Sequence, residues 1–141
     1  HLHTKTEFLE EIAVLLGGYL TEREWFKDVT TGATSDLRRA TALARRLVTD
    51  YGMSDNLGPR TFGDKEEMIF LGREIHEQRD YSEKIAEAID GEITGFMSQG
   101  ITMAEKIIKD HRNELEKVAL KLLEKETIEK EEFEEMMAVK A

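Results

Sequence analysis

Ile85, Ile89, Ile93, Phe96, Gly100, Met103, Ala104, Ile107 and His111 recur at helical spacing and place one apolar stripe on a long segment. A stripe of that length has to be buried, and helices bury such stripes against other helices. Asp80, with Glu83 following, is expected to cap this helix. Gly91, Gly95 and Gly100 interrupt it. Gly100 lies on the stripe, where a neighbouring helix can come close, whereas Gly91 and Gly95 fall on a displaced face. The chain holds a single Pro, Pro59, so little in it breaks helices. The expected fold class is all-α.

The flanking segments agree. "TKTEFLEEIAVLLGGYLTEREWF" opens with a capping box, Thr4 with Glu7, and Phe8, Ile12 and Leu15 or Leu16 follow at helical spacing. Gly17-Gly18 either ends this first helix or forms a thin waist in a continuous one. After a loop at Lys27–Gly32, Leu37, Ala40, Ala44, Leu47, Val48 and Tyr51 define a second helix, with Gly52 as its C-terminal stop. Met53 to Asp80 is rich in turn residues and too long for a passive linker, so it is expected to pack or carry function. Its run "MIFLG", Met68 to Gly72, reads as a strand or extended edge. Leu115, Val118, Leu122 and Leu123 mark a fourth helix and "EEFEEMM" a short fifth. The run from Glu124 to Glu135 is strongly acidic and reads as a solvated face.

The 141 residues suit one domain that buries ~68–70% of its unfolded surface. Thirty acids against twenty bases give a net charge of −10, which would repel a nucleic acid or a bare anionic membrane. There are no cysteines, which excludes disulfides and thiolate metal sites and fits a reducing cytosol. No apolar run approaches the ~20 residues that span a bilayer. The chain opens without a Met and in mid-pattern, and is expected to be a segment of something longer.

Four histidines could serve chemistry. "HEQRD", His76 to Asp80, resembles half of a zincin helix with Asp in place of the second His; an exposed loop His is the preferred reading. His111, on the apolar stripe, reads as a half-buried structural His, and the "HLH" of His1 and His3 as a terminal pair. The sequence holds no His-Glu-x-x-His, Glu-x-x-His, Walker loop or nucleophile elbow. Asp36 remains, in "DVTTGATSDLRRAT". By itself it reads as an acid in a helix's first turn, favoured there by ~0.3–1 kcal/mol through the macrodipole.

Taken together, "TKTEFLEEIAVLLGG", "DVTTGATSDLRRATALARRLVTDYGMSDNLGP", "FLGREI" and "LLEKETI" resemble the FtsH family in order and spacing over nearly the whole chain. These are membrane-anchored ATPases fused to a zinc metalloprotease domain. The resemblance implies that residues 1–141 are the C-terminal part of a mostly helical protease domain. In the family two His of a His-Glu-x-x-His helix bind zinc and its Glu activates water; that helix is expected upstream of His1. The third ligand, an Asp, falls on Asp36, leaving a coordination position for the attacking water. Thr30, Thr31 and Gly32 then read as the loop that aims it. Glu22 matches a family acid, but Arg23 stands where a second acid is usual and Tyr19 where Arg is usual, so Glu22 is not counted as a ligand.

The resemblance further implies ATP on a separate domain, a homo-hexameric ring, unfolded or membrane proteins as substrates, and a place on the cytoplasmic face of a bacterial inner membrane or its organelle equivalent. Nucleic acid is not an expected partner, and membrane attachment is expected only through segments outside this sequence. The competing reading is a non-enzymatic helical assembly module of a homologue that has lost its zinc motif.

Overall fold

A computed structural model describes residues 2–28, 30–71 and 74–140; for residues 26, 64–71, 74–78, 119, 122, 123, 126, 139 and 140 it describes the backbone only. The described residues fold into four helices and one hairpin, so the chain is mostly α-helical as expected. They divide into two compact units, His1–Glu105 and Lys106–Ala141.

In the first unit, α1 spans Lys5–Phe26. Thr4 caps it by accepting the Glu7 N–H at 3.1 Å. The reciprocal half of the expected box is replaced, because Glu7 Oε2 meets His3 Nδ1 at 3.2 Å. α1 runs straight through Gly17-Gly18 and stops at Lys27, whose φ of 52° is left-handed. α2 spans Thr31–Thr49 and buries Ala33, Ala40, Leu43, Ala44, Leu47 and Val48 on one face. Its small residues let α1 come near, and Phe8, Ile12, Leu15 and Leu16 of α1 complete that layer of the core.

Of the segment from Met53 to Asp80, expected to pack or carry function, residues 53–63 pack: Phe62 joins the core, and Met53 and Leu57 lie against it. Phe62 is only 2% exposed. Its N–H donates to the Thr49 carbonyl at 2.8 Å, tying the segment to the end of α2. The Arg60 guanidinium lies 4.3 Å from the Phe62 ring centroid. Strands β1 (Asp64–Leu71) and β2 (Glu74–Gln78) then form an antiparallel hairpin with Ile69 opposite His76. The extended edge expected from Met68 is therefore real and begins at Asp64; Gly72 lies outside the described residues. At the hairpin's base Gly63 N–H donates to Asp80 Oδ1 at 2.8 Å.

That bond corrects the expected cap of the next helix. α3 spans Glu83–Asp110, and the Ser82 hydroxyl accepts the Ile85 N–H at 3.2 Å. Ser82, not Asp80, opens the helix, because Asp80 is committed to Gly63. Ile89, Ile93 and Phe96 are buried with the α1 and α2 faces. Further along, Ile107 is 53% exposed while Ile108 is buried. The expected stripe has drifted by one residue there.

The second unit holds the end of α3 and α4, Arg112–Lys140. The expected fourth and fifth helices are one continuous helix. Its Glu- and Lys-rich sequence supports this through pairs such as Arg112 with Glu116 at 3.2 Å, four residues apart. Val118, one of the residues that mark the expected fourth helix, lies in it and is exposed. The side chains of Leu122 and Leu123 lie outside those described. No helix among the described residues is long and apolar enough to cross a membrane.

Candidate functional site

Asp36 does not open α2. The helix begins five residues earlier, at Thr31, and its first turn carries no acid. The macrodipole acts within the first turn, so it gives no account of an acid in the second. The reading of Asp36 as a helix-start acid is thereby corrected.

The loop expected over Thr30, Thr31 and Gly32 is mostly helix. Thr30 is the N-cap, with extended backbone, and its hydroxyl accepts the Ala33 N–H at 3.4 Å. Its carbonyl accepts both the Thr34 N–H and the Thr34 hydroxyl. Thr31 and Gly32 are the first helical residues. The Thr30 N–H points the other way and donates to Glu22 Oε1 of α1 at 3.1 Å. This link joins the two helices across the loop between them. Periodicity gave no sign of it, because its partners are eight residues apart and on different elements.

The Asp36 side chain is 35% exposed, and Oδ1 stands 3.9 Å from Arg39 Nη1. A pair that long and that exposed is weak, about 0–1 kcal/mol. No other polar partner of Asp36 is found among the described residues. The second oxygen faces α1 at Gly18: a Cβ on Gly18 would stand 3.0 Å from Oδ2. The carboxylate therefore lies against bare helix backbone, partly open to solvent, with acceptor capacity to spare.

A carboxylate oxygen is an ordinary zinc donor, and Asp36 fits as one ligand. It cannot hold the ion alone. No group of three His, Asp or Glu that could hold a metal occurs among the described residues. His76 lies in β2, so "HEQRD" cannot present two ligands on one helical face, and the zincin-like reading fails. His111 is 56% exposed, 3.4 Å from Glu114, and is not the half-buried His expected from the stripe. His3 pairs with Glu7, and His1 lies outside the described residues.

The sequence matches the model of peptidase family M41 over residues 1–136. It is 49% identical over 131 residues to ATP-dependent zinc metalloprotease FtsH 1 of Thermomicrobium roseum, covering 93% of this chain and 20% of that protein. It is 47% identical to ATP-dependent zinc metalloprotease FtsH of Caldicellulosiruptor bescii, covering 95% of the chain and 22% of that protein. With the FtsH of Chloroflexus aggregans the identity is 45%, over 97% of the chain and 21% of that protein. The chain spans about a fifth of the length of these relatives. The match to the family model covers nearly the whole sequence, and the chain belongs to peptidase family M41.

Proposed function

We propose that this chain is part of the proteolytic domain of an ATP-dependent zinc endopeptidase and that Asp36 supplies its carboxylate zinc ligand. The observation that carries the reading is the placement of Asp36. It is a second-turn acid with no capping role, one oxygen against the bare backbone at Gly18 and the other loosely opposite Arg39. Relatives at 45–49% identity bear the name zinc metalloprotease, which favours an enzyme over a non-enzymatic assembly module.

In this reading the remaining ligands are two imidazoles of a His-Glu-x-x-His helix, a motif absent from these residues. The chemistry such a centre supplies is Lewis-acid polarisation of a peptide carbonyl and activation of water. This chain's part is to hold a carboxylate in place. Thr30 fixes the entry of α2, Glu22 ties that entry to α1, and α2 carries Asp36 to the Gly18 surface. ATP on a separate domain, a homo-hexameric assembly, unfolded or membrane protein substrates and a location at the inner membrane complete the proposal.

Asp36→Asn in the full-length protein tests it. The amide lacks the carboxylate's charge and is a poor zinc ligand. The variant is expected to assemble and hydrolyse ATP, yet to lose bound zinc and most casein cleavage. Full zinc occupancy with near-normal cleavage would show that Asp36 is not the ligand.

A further inference from the structure

Gly18 and Glu22 sit four residues apart on α1, hence on one face of it, and both meet the segment that delivers Asp36. We propose that they are positioning residues for the Asp36 carboxylate, Gly18 as the surface it lies against and Glu22 as the anchor of the helix that carries it. The proposal rests on Asp36 being the metal ligand.

Gly18 is a poor choice for the middle of a 22-residue helix, since Gly weakens a helix relative to Ala. It is also exposed, so core packing does not require it. What a side chain would disturb is specific: its Cβ would stand 3.0 Å from Asp36 Oδ2, closer than ordinary van der Waals contact. With a Cβ at this position the Asp36 carboxylate has to give way by a few tenths of an ångström.

Glu22 acts at the other end of the same segment. The first N–H groups of a helix and its cap have no partner within the helix. Glu22 Oε1 accepts the N–H of Thr30, the residue whose hydroxyl and carbonyl organise the first turn of α2. From Thr30 to Asp36 the rise along a rigid helix is about 9 Å. Fixing Thr30 against α1 therefore fixes where Asp36 emerges, and Gly18, one turn before Glu22, receives it. The link needs an acceptor oxygen, not a charge, so Gln in place of Glu22 can still make it.

The test uses the full-length protein as Gly18→Ala, Glu22→Ala, Glu22→Gln and Asp36→Asn. Three properties are measured: zinc content, the rate of zinc loss to a chelator, and thermal melting after the metal is removed. Gly18→Ala is expected to lose zinc roughly 10–100-fold faster, while its metal-free form melts at or above the wild-type temperature. Glu22→Ala should also lose zinc faster, and Glu22→Gln should stay close to wild type. Should Asp36→Asn keep its zinc, the ligand assignment itself fails. If Asp36→Asn loses zinc while Gly18→Ala and Glu22→Ala release it at the wild-type rate, the positioning roles alone are wrong. Glu22→Gln as impaired as Glu22→Ala would overturn the anchor role, because the charge would then matter. A lowered melting temperature of metal-free Gly18→Ala would mark Gly18 as a packing residue and overturn its part.

Discussion

Gly100 of α3 receives the γ2 methyl of Ile12 from α1: a Cβ on Gly100 would stand 2.6 Å from that methyl and 3.0 Å from Leu16 Cδ1. Ile12 and Leu16 are among the most completely buried side chains of the core. The approach of α3 to α1 thus depends on a missing side chain. Gly100→Leu is expected to destabilise the fold by about 1–3 kcal/mol through overpacking. Midpoints of denaturant unfolding, with unchanged slopes, measure it; a neutral result would mean that α3 buries a different face.

Gly91 and Gly95 give the opposite expectation. A Cβ at either would meet nothing within 4 Å. Gly91→Ala gains helix propensity without a clash and should raise stability by up to ~1 kcal/mol. The same denaturant series reads it, and a loss at Gly91 beside neutrality at Gly100 would reverse the assigned buried face.

Gly52 and Gly58 separate backbone strain from crowding. Both have positive φ, 58° and 80°. At Gly52 a Cβ would also stand 2.8 Å from the Arg60 carbonyl oxygen, whereas at Gly58 it would meet nothing within 4 Å. Each Ala substitution forces a left-handed conformation on a residue that disfavours it, costing about 1–2 kcal/mol. Gly52→Ala should cost clearly more, because rigid backbone stands in the way. Equal losses in thermal melts would show that the turn can open around Arg60.

What the sequence made legible is what local chemistry decides. The faces of α1, α2 and α3 follow from apolar spacing: Phe8, Ile12 and Leu16; Ala40, Ala44 and Leu47; Ile89, Ile93 and Phe96 are all buried. The start of α2 was hidden because Thr31, Gly32, Thr34 and Ser35 are weak helix formers and resemble a loop. The Thr30 cap and the Glu22 anchor outweigh that preference, and the anchor belongs to another helix. Ser82 was missed as the α3 cap because Asp80 offered an equally good local pattern, and a contact across the hairpin base decides between them. The apolar spacing on α3 stops marking the buried face before its end: at Ile107 and His111 that stripe faces solvent, and Ile108 is buried instead. Asp36 was legible only through resemblance. The contact with Gly18 that singles it out arises when α1 and α2 pack.

The 141-residue chain alone is expected to bind no stoichiometric zinc and to cleave no peptide. Zinc sites require three or four protein ligands held together, and the described residues contain no such group. Asp36 could offer no more than a single carboxylate, and Arg39 stands 3.9 Å from it. His3 is drawn to Glu7, and His76 belongs to a strand, where its neighbour four residues on does not share a helical face with it. Titration calorimetry with zinc checks the first expectation and casein hydrolysis the second. One zinc per chain, abolished by His76→Ala, would overturn this expectation and restore "HEQRD" as a metal site.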